Sequence, residues 1–308
     1  MKRGLREAAG SASVMHSHGL WMMPNLYPAQ AARAARVPLV LSPRGMMDHW
    51  AWRHHRWRKR AIWWAGQARA VIAASCLHAT APCELDYIRE LGIRAPVAVV
   101  PNGVSIPDAE AVRKRPGHRR TLLFLARVHR KKGVDILLRA WRNVQERFGD
   151  WQLVIVGPDD GGWLPKMKSL AVELAARRVF FQGKIPQSEK SRYFASSELY
   201  VLPTHNENWG VSIAEALAHG VPAIVSRGAP WSGLETNGCG WWIENRVEVL
   251  TETLRMALAL SPEELAARGA SGRRWVEEAF SWNSVAKTMR QVYTWLASGG
   301  PMPECVQT

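Results

Sequence analysis

The chain has 308 residues, 47% of them hydrophobic, so it can bury a sizeable core and is long enough for two domains. It carries 41 Lys and Arg against 26 Asp and Glu, a net charge of +15, which points to a polyanionic partner: nucleic acid, acidic lipid or a phosphorylated substrate. No apolar run reaches the roughly eighteen residues a membrane span needs. The opening "MKRGLREAAGSASVMHSHGLW" is basic but lacks a continuous apolar core, so no signal peptide is expected. Cys76, Cys83, Cys239 and Cys305 are scattered, with no CxxC pair, and a reducing cytoplasm is the simplest compartment.

In chain order, "SVMHSH", "PLVLS", "AVIAAS" and "VAVVPNG" predict the strands of a first part. Around and after the second lies a concentrated basic region, with nine Lys or Arg against the single acid Asp48 from Arg33 to Arg69. Within it "HWAWRHHRWRKRAIWWAGQAR" interleaves Trp50, Trp52, Trp57, Trp63 and Trp64 with Arg53, Arg56, Arg58, Lys59 and Arg60. Indole beside cation suits an anionic membrane surface over Trp50–Arg69. The same pattern also fits a helix with a packed aromatic face and a solvated basic one. Stacking on single-stranded nucleic acid is a third reading, but no recognition module accompanies the patch, so no specific nucleic acid is expected. His54 and His55 have no acid partner at motif spacing and read as part of a solvated helix face.

The polar, basic "SIPDAEAVRKRPGHRR" breaks the rhythm and reads as a linker. Beyond it "TLLFLA", "WQLVIVG", "RVFFQG", "LYVLP" and "PAIVS" predict further strands. Helical patterns lie between them, such as "DILLRAWRNVQERF" with Ile136, Leu137, Ala140, Trp141, Val144 and Phe148 on one face. Near the end, "FSWNSVAKTMRQVYTWL" places Val285, Met289, Val292 and Leu296 at core spacing. Alternating strands and helices predict an α/β protein with two doubly wound domains, which bind ligands outside the carboxyl ends of their strands. The predicted boundaries are 1–106, a linker over 107–120, a second domain over 121–282 and a final helix over 283–300.

Two stretches of the second domain carry chemistry. After "TLLFLA", Arg127 lies at a strand end and Lys132 just before Gly133; the two could converge on a phosphate, although on spacing alone a solvated basic loop is the simpler reading. "THNENWGVSIAEALAHGVP" then follows a strand. Glu207 falls in its loop, Gly210 permits close backbone approach, and the amides of Val211 and Ser212 open a helix able to receive a phosphate. Glu215, one turn inside, could accept two vicinal hydroxyls such as a ribose offers. Trp241, Trp242 and Cys239 of "GCGWW" read as packing residues.

These pieces, with "HSHGLW", "SPRGM", "VVPNGV", "FLARVHRKKGVDILLRA", "VIVG" and "FQGKI", run in one order over nearly the whole chain. In that order they resemble the retaining glycosyltransferase family 4, whose members have two Rossmann-like domains facing across a nucleotide-sugar cleft, the GT-B fold. "SPRGM" and "GCGWW" resemble a bacterial subgroup that builds surface polysaccharide. The resemblance implies a nucleoside-diphosphate sugar as donor and a saccharide or lipid-linked acceptor, with work done in the cytoplasm at the inner membrane face. It implies Glu207 at the donor sugar, Glu215 at the ribose, and Arg127 and Lys132 at the diphosphate. Gly210, Val211 and Ser212 would cradle phosphate, and Ile185 would lie against the base. His18 would lie on the acceptor side, where Arg44 stands in the place of a histidine common in the family. No cofactor and no metal are implied, and no D-x-D motif occurs.

The family's opening strand and glycine-rich loop have no counterpart in "REAAGSASVMHSHGLW", so the first domain is expected to be incomplete at its N-terminus. Two other readings therefore stand beside the transferase. One is a donor-binding subunit that is impaired or depends on a partner. The other is a Trp-rich basic protein acting on membranes or nucleic acid.

Overall fold

A computed structural model describes residues 2–53, 56–108 and 119–308. In chain order its strands are β1 (Met15–His18), β2 (Leu39–Ser42), β3 (Cys76–Ala79), β4 (Val97–Val99), β5 (Arg120–Leu125) and β6 (Trp151–Val156). They continue with β7 (Val179–Gly183), β8 (Leu199–Leu202), β9 (Ala223–Ser226), β10 (Gly240–Ile243) and β11 (Val306–Gln307). The helices begin with α1 (Lys2–Ser11), α2 (Tyr27–Ala35), α3 (His49–Arg53), α4 (Arg56–Ile62), α5 (Ala68–Ile72) and α6 (Pro82–Glu90). Then come α7 (Val134–Val144), α8 (Trp163–Glu173), α9 (Lys190–Ala195) and α10 (Val211–Ala218). The last four are α11 (Gly233–Thr236), α12 (Val247–Leu258), α13 (Pro262–Phe280) and α14 (Trp282–Ser298).

The chain forms two compact units, Met1–Gly103 with Asn283–Thr308, and Val104–Trp282. In the first, strands run in the order β1-β2-β3-β4-β11, parallel except for β11 against β4. Its core gathers Leu41, Leu77, Ile88 and Val97. A second cluster packs Val285, Met289, Val292 and Leu296 of α14 against Cys76, Ala98 and Val306. The heptad-like spacing of these residues is what lets one face of α14 bury while the other stays wet.

The second unit is a parallel sheet in the order β7-β6-β5-β8-β9-β10. The strand order reverses between β5 and β8, and a ligand crevice belongs outside the carboxyl ends of those two strands. The core is dense here: Leu122, Leu123, Phe124, Leu199, Tyr200 and Val201 are buried on both faces, as parallel strands demand. Helix α7 buries Val134, Ile136, Leu137, Leu138, Ala140, Trp141 and Val144 against it. Ser261 caps α13 in a reciprocal capping box with Glu264.

One strand expectation is overturned. "AVIAAS" is the end of α5 followed by a turn, and the strand is the next four residues, Cys76–Ala79. Ala68–Ile72 continues helical turns begun upstream, burying Ala70 and Val71 while Ile72 stays exposed. The pleated alternative would have placed both branched residues on opposite faces of a sheet. The linker reading over 107–120 falls largely on residues 109–118, and His54 and His55 likewise lie outside the described residues.

The Trp-rich region divides in two. Trp52 and Trp63 turn inward: Trp52 packs edge-on against both Trp21 and Trp63, with ring centroids 4.9 and 5.3 Å apart. Trp57 and Trp64 point out, 69% and 81% exposed, and Arg56 and Arg60 flank the Trp57 ring. Among the described residues no helix is long and apolar enough to cross a membrane.

Candidate active site

The loop after β5 and the loop after β8 are fastened to each other. His205 N donates to Lys131 O at 2.8 Å and Thr204 Oγ1 donates to the same oxygen at 3.0 Å. Gly133, with φ +68, sits so close that a Cβ there would lie 2.0 Å from the Pro203 carbonyl oxygen. Only glycine permits that approach. Together these contacts hold the turn Arg130–Lys132 rigidly beside the end of β8, and Lys132 is buried.

From that turn Lys132 Nζ donates to Glu207 Oε2 in an ion pair whose side chains are 11% and 20% exposed. Glu207 N in turn donates to Gly228 O at 2.7 Å, tying its loop to the one after β9. Gly210, φ +91, precedes α10, and a Cβ there would lie 2.6 Å from Ile213 Cδ1 and 3.3 Å from Glu207 Cγ. A glycine offers no capping side chain, so the first amides of α10, including Val211 and Ser212, face the site without one. The Ser212 hydroxyl is engaged by Tyr200 OH at 2.7 Å. Burial pushes the Tyr200 phenol well above its usual range, so it stays protonated.

Glu215 is half a helix further on, and both its oxygens take hydrogen bonds of 3.0 Å from Lys190 Nζ at the start of α9. Ile185 lies partly buried in the segment between β7 and α9. Arg127 does not join Lys132 on a shared partner: its guanidinium pairs with Asp160 from the loop after β6 and is largely exposed. The two cations that spacing suggested might converge are each held by a different carboxylate. Sequence reasoning did not find Lys190, Asp160 or Asn206, whose Oδ1 beside Glu207 is buried without a hydrogen-bond partner.

In the first unit His18 and Arg44 do meet. Arg44 Nε and Nη2 lie 3.3 and 3.2 Å from His18 Nδ1, and Nη1 donates to Asn102 Oδ1. Arg44 takes a left-handed conformation, φ +56, and Gly45 N next to it donates to the buried Glu84 carboxylate at 2.5 Å. That carboxylate also accepts from Thr80 N at 2.7 Å, so the turn that carries Arg44 is fixed from β3 as well as β2.

The Trp241–Trp242 pair forms the edge strand β10. Arg268 lies over the first ring and Arg227 over the second, while Trp242 Nε1 donates to Ala229 O at 2.8 Å. Cys239 is fully buried, with its thiol pushed up to about 11 by desolvation. All four cysteines are free. Among the described residues no group of three or more His, Cys, Asp or Glu is arranged to hold a metal ion.

Two parallel α/β sheets in separate units, the second in Rossmann order with its polar residues gathered at the switch point, define a protein of the GT-B class. The chain belongs to the family described as "Glycosyl transferases group 1", whose model matches residues 105–275; residues 2–103 match the model described as "Glycosyl transferase 4-like domain". Among curated proteins it is 31% identical over 192 residues to a GDP-mannose-dependent alpha-(1-6)-phosphatidylinositol monomannoside mannosyltransferase of Mycolicibacterium smegmatis, covering 58% of this chain and 49% of that protein. It is 29% identical over 215 residues to a phosphatidyl-myo-inositol mannosyltransferase of Mycobacterium tuberculosis, covering 65% of this chain and 54% of that one. The chain thus spans about half the length of the curated relatives it matches. Among solved structures, sucrose-phosphate synthase from Thermosynechococcus elongatus aligns with a TM-score of 0.75 at 20% identity, over 97% of this chain and 78% of that one. Anabaena Alr3699/HepE in complex with UDP aligns with a TM-score of 0.77 at 16% identity, over 95% and 81%. Both likenesses concern the fold.

Proposed function

We propose that this protein transfers a hexose, with retention of configuration, from a nucleoside-diphosphate sugar to a lipid-linked or saccharide acceptor of a bacterial surface glycan. The observation that carries this reading is the pairing of Lys132 with Glu207 and of Lys190 with Glu215 around the open end of α10, at the switch point of the second sheet. A donor diphosphate entering there takes Lys132 from Glu207 and Arg127 from Asp160. Its oxygens meet the amides of Gly210, Val211 and Ser212, the ribose meets Glu215, and the base lies along Ile185. Glu207, released, accepts from the sugar's hydroxyls. As the bond between the anomeric carbon and the phosphate oxygen breaks, Lys132 and Arg127 offset the growing negative charge without a bound metal. The acceptor oxygen bonds to the same face of that carbon, and its proton passes to the departing phosphate oxygen.

GDP-mannose and an inositol phospholipid are the first donor and acceptor to try, because those words stand in the names of the relatives. The donor reading is tested by thermal shift against GDP, UDP and their sugars. A nucleotide at about a hundred times its Kd stabilises the native state by about 2.7 kcal/mol, a shift of several degrees. Glu215→Ala is expected to weaken that binding about tenfold, with turnover at saturating donor changed far less. If no nucleotide or nucleotide sugar moves the wild-type transition, the donor site is not where we put it.

The acceptor side works at an anionic lipid surface, at the inner face of the membrane. Exposed Trp57 and Trp64 carry Arg56, Arg58 and Arg60 beside them, which is the combination a headgroup layer accommodates. Co-sedimentation is expected with vesicles containing phosphatidylglycerol and not with pure phosphatidylcholine. Replacing Trp57 and Trp64 with Ser should cut binding at least about tenfold, since each indole contributes on the order of 1 kcal/mol or more at an interface. Equal sedimentation with both vesicles, or with the double variant, would remove the membrane from the reading.

A further inference from the structure

The polar groups at the carboxyl ends of β1–β4 admit only one arrangement of protons on three neutral imidazoles. A guanidinium has donors and no acceptor. Arg44 Nε and Nη2 both approach His18 Nδ1, at 3.3 and 3.2 Å, so Nδ1 must accept and the ring proton of His18 sits on Nε2. The same elimination runs through a chain behind it. Val100 O, which can only accept, lies 2.8 Å from His78 Nε2, so that nitrogen carries the proton. His78 Nδ1 then accepts from the Ser42 hydroxyl at 2.7 Å. Having given its one proton, Ser42 Oγ accepts from His16 Nε2 at 2.7 Å. His16 Nδ1 is left to accept from Tyr293 OH on α14, at 2.5 Å.

The surroundings keep all three rings neutral. His16 and His18 stack with centroids 4.2 Å apart, and His78 lies 5.4 Å from His16, so a charge on any one ring would face the others and Arg44. Desolvation, then the repulsion a charged ring would meet from His18, His78 and Arg44, holds His16 down at about 3. Desolvation, opposed by the hydrogen bond to Val100 O, holds His78 at about 4; desolvation, then Arg44, holds His18 below the usual imidazole range. The groups that face Arg44 itself are Glu84 and Tyr293, which favour its charge, and the Asn102 amide oxygen.

We propose that Arg44 and the chain Tyr293–His16–Ser42–His78 lock His16, His18 and His78 as neutral Nε2–H tautomers, so that His18 meets a ligand oxygen as a hydrogen-bond donor and not as a proton acceptor. His18 is then a positioning and recognition group for a hydroxyl or phosphate oxygen, with the Arg44 cation beside it. The proton that leaves the acceptor has to go elsewhere, which agrees with its passing to the departing phosphate. The tautomer assignment stands on the hydrogen bonds together with the neutrality of the rings; the role of His18 toward a ligand rests on the transferase reading above.

Long-range proton–nitrogen spectra of the full chain labelled with 15N-histidine test this directly, with each signal assigned by a single His→Gln variant. At about pH 7 the three rings are expected to show one protonated Nε2 and one bare Nδ1, and His16 and His78 to stay so down to about pH 5.5. Arg44→Gln should let His18 titrate at a higher pH than in the wild type and with mixed tautomers, leaving the His78 tautomer as it was. Ser42→Ala should mix the tautomers of His16 while His78, pinned by Val100 O, keeps its pattern, and serves if Arg44→Gln does not fold. An imidazolium or an Nδ1–H signature for His18 in the wild type overturns the proposal. The role is read from His18→Gln, whose amide keeps a donor but offers no base. It should retain turnover within about threefold, where His18→Ala loses about ten- to a hundredfold. Equal losses in the two variants overturn the donor role. A wild type with no transferase activity overturns the function proposed above and leaves the spectra to decide the tautomers.

Discussion

Lys132→Ala is expected to lower turnover at saturating donor by about a hundred- to a thousandfold, the cost of removing one preorganised cation from developing charge. The size follows from how the ammonium is held. Its turn is fastened to β8 by the contacts of Lys131 O and by the Gly133–Pro203 approach, so the backbone that carries the ammonium is already in place when the donor takes it from Glu207. Alanine also leaves Glu207 mostly buried without its partner, and that uncompensated carboxylate faces the incoming diphosphate. The loss should therefore appear in donor binding as well as in turnover. A stability cost of about 1–3 kcal/mol is expected too, because breaking a half-desolvated pair from one side strands the other charge. Arg127→Ala supplies the contrast. Its pair with Asp160 is exposed, so it should lose only about tenfold and leave the melting transition where it was. Nucleotide release under saturating donor, alongside calorimetry, measures both. Normal turnover in Lys132→Ala would mean that the charge is met by something else.

The residues readable from sequence were those that fall within one short motif. Glu207, Gly210 and Glu215 share one loop and helix, and Lys132 stands beside the glycine whose turn requires it. The switch-point topology was legible for the same reason, because a parallel sheet writes a buried run for each strand. What escaped depends on pairing across the sheet. Lys190 reaches Glu215 from a helix 25 residues upstream, with no motif to announce it. His16 and His78 sit inside strand-like runs, where a histidine reads as polar punctuation, yet they are satisfied through Ser42 and Val100 from neighbouring strands. That buried His78 also hid β3, and the apolar run before it drew the strand forward into what is the end of α5. The edge strand β11 is two residues in a tail without periodicity, defined only by its antiparallel pairing with β4.

The same buried histidines are expected to make the first unit acid-labile. A group whose native pKa is depressed binds protons more readily in the unfolded chain, so the stability it confers is complete above its unfolded pKa and is lost as pH falls. For His16 and His78 that window opens near the ordinary imidazole value of about 6.5 and closes near the native values of about 3 and about 4. At about 1.4 kcal/mol for each unit of displacement, the two together set an upper bound on the order of 8 kcal/mol. Among the described residues of the second unit no such cluster occurs: His219 binds Glu215 O and Ser191 at the end of α10. Urea titration followed by near-ultraviolet circular dichroism is expected to give a first-unit transition whose midpoint falls steeply between about pH 6.5 and about pH 4.5, with the second unit less affected. His16→Gln removes one of the two protons taken up on unfolding. It should lower stability at about pH 7, by breaking the bonds to Tyr293 and Ser42, and make the dependence on acid shallower. A midpoint flat across that range in the wild type, or a slope unchanged in His16→Gln, would show that these rings are not buried neutral beneath the strand ends.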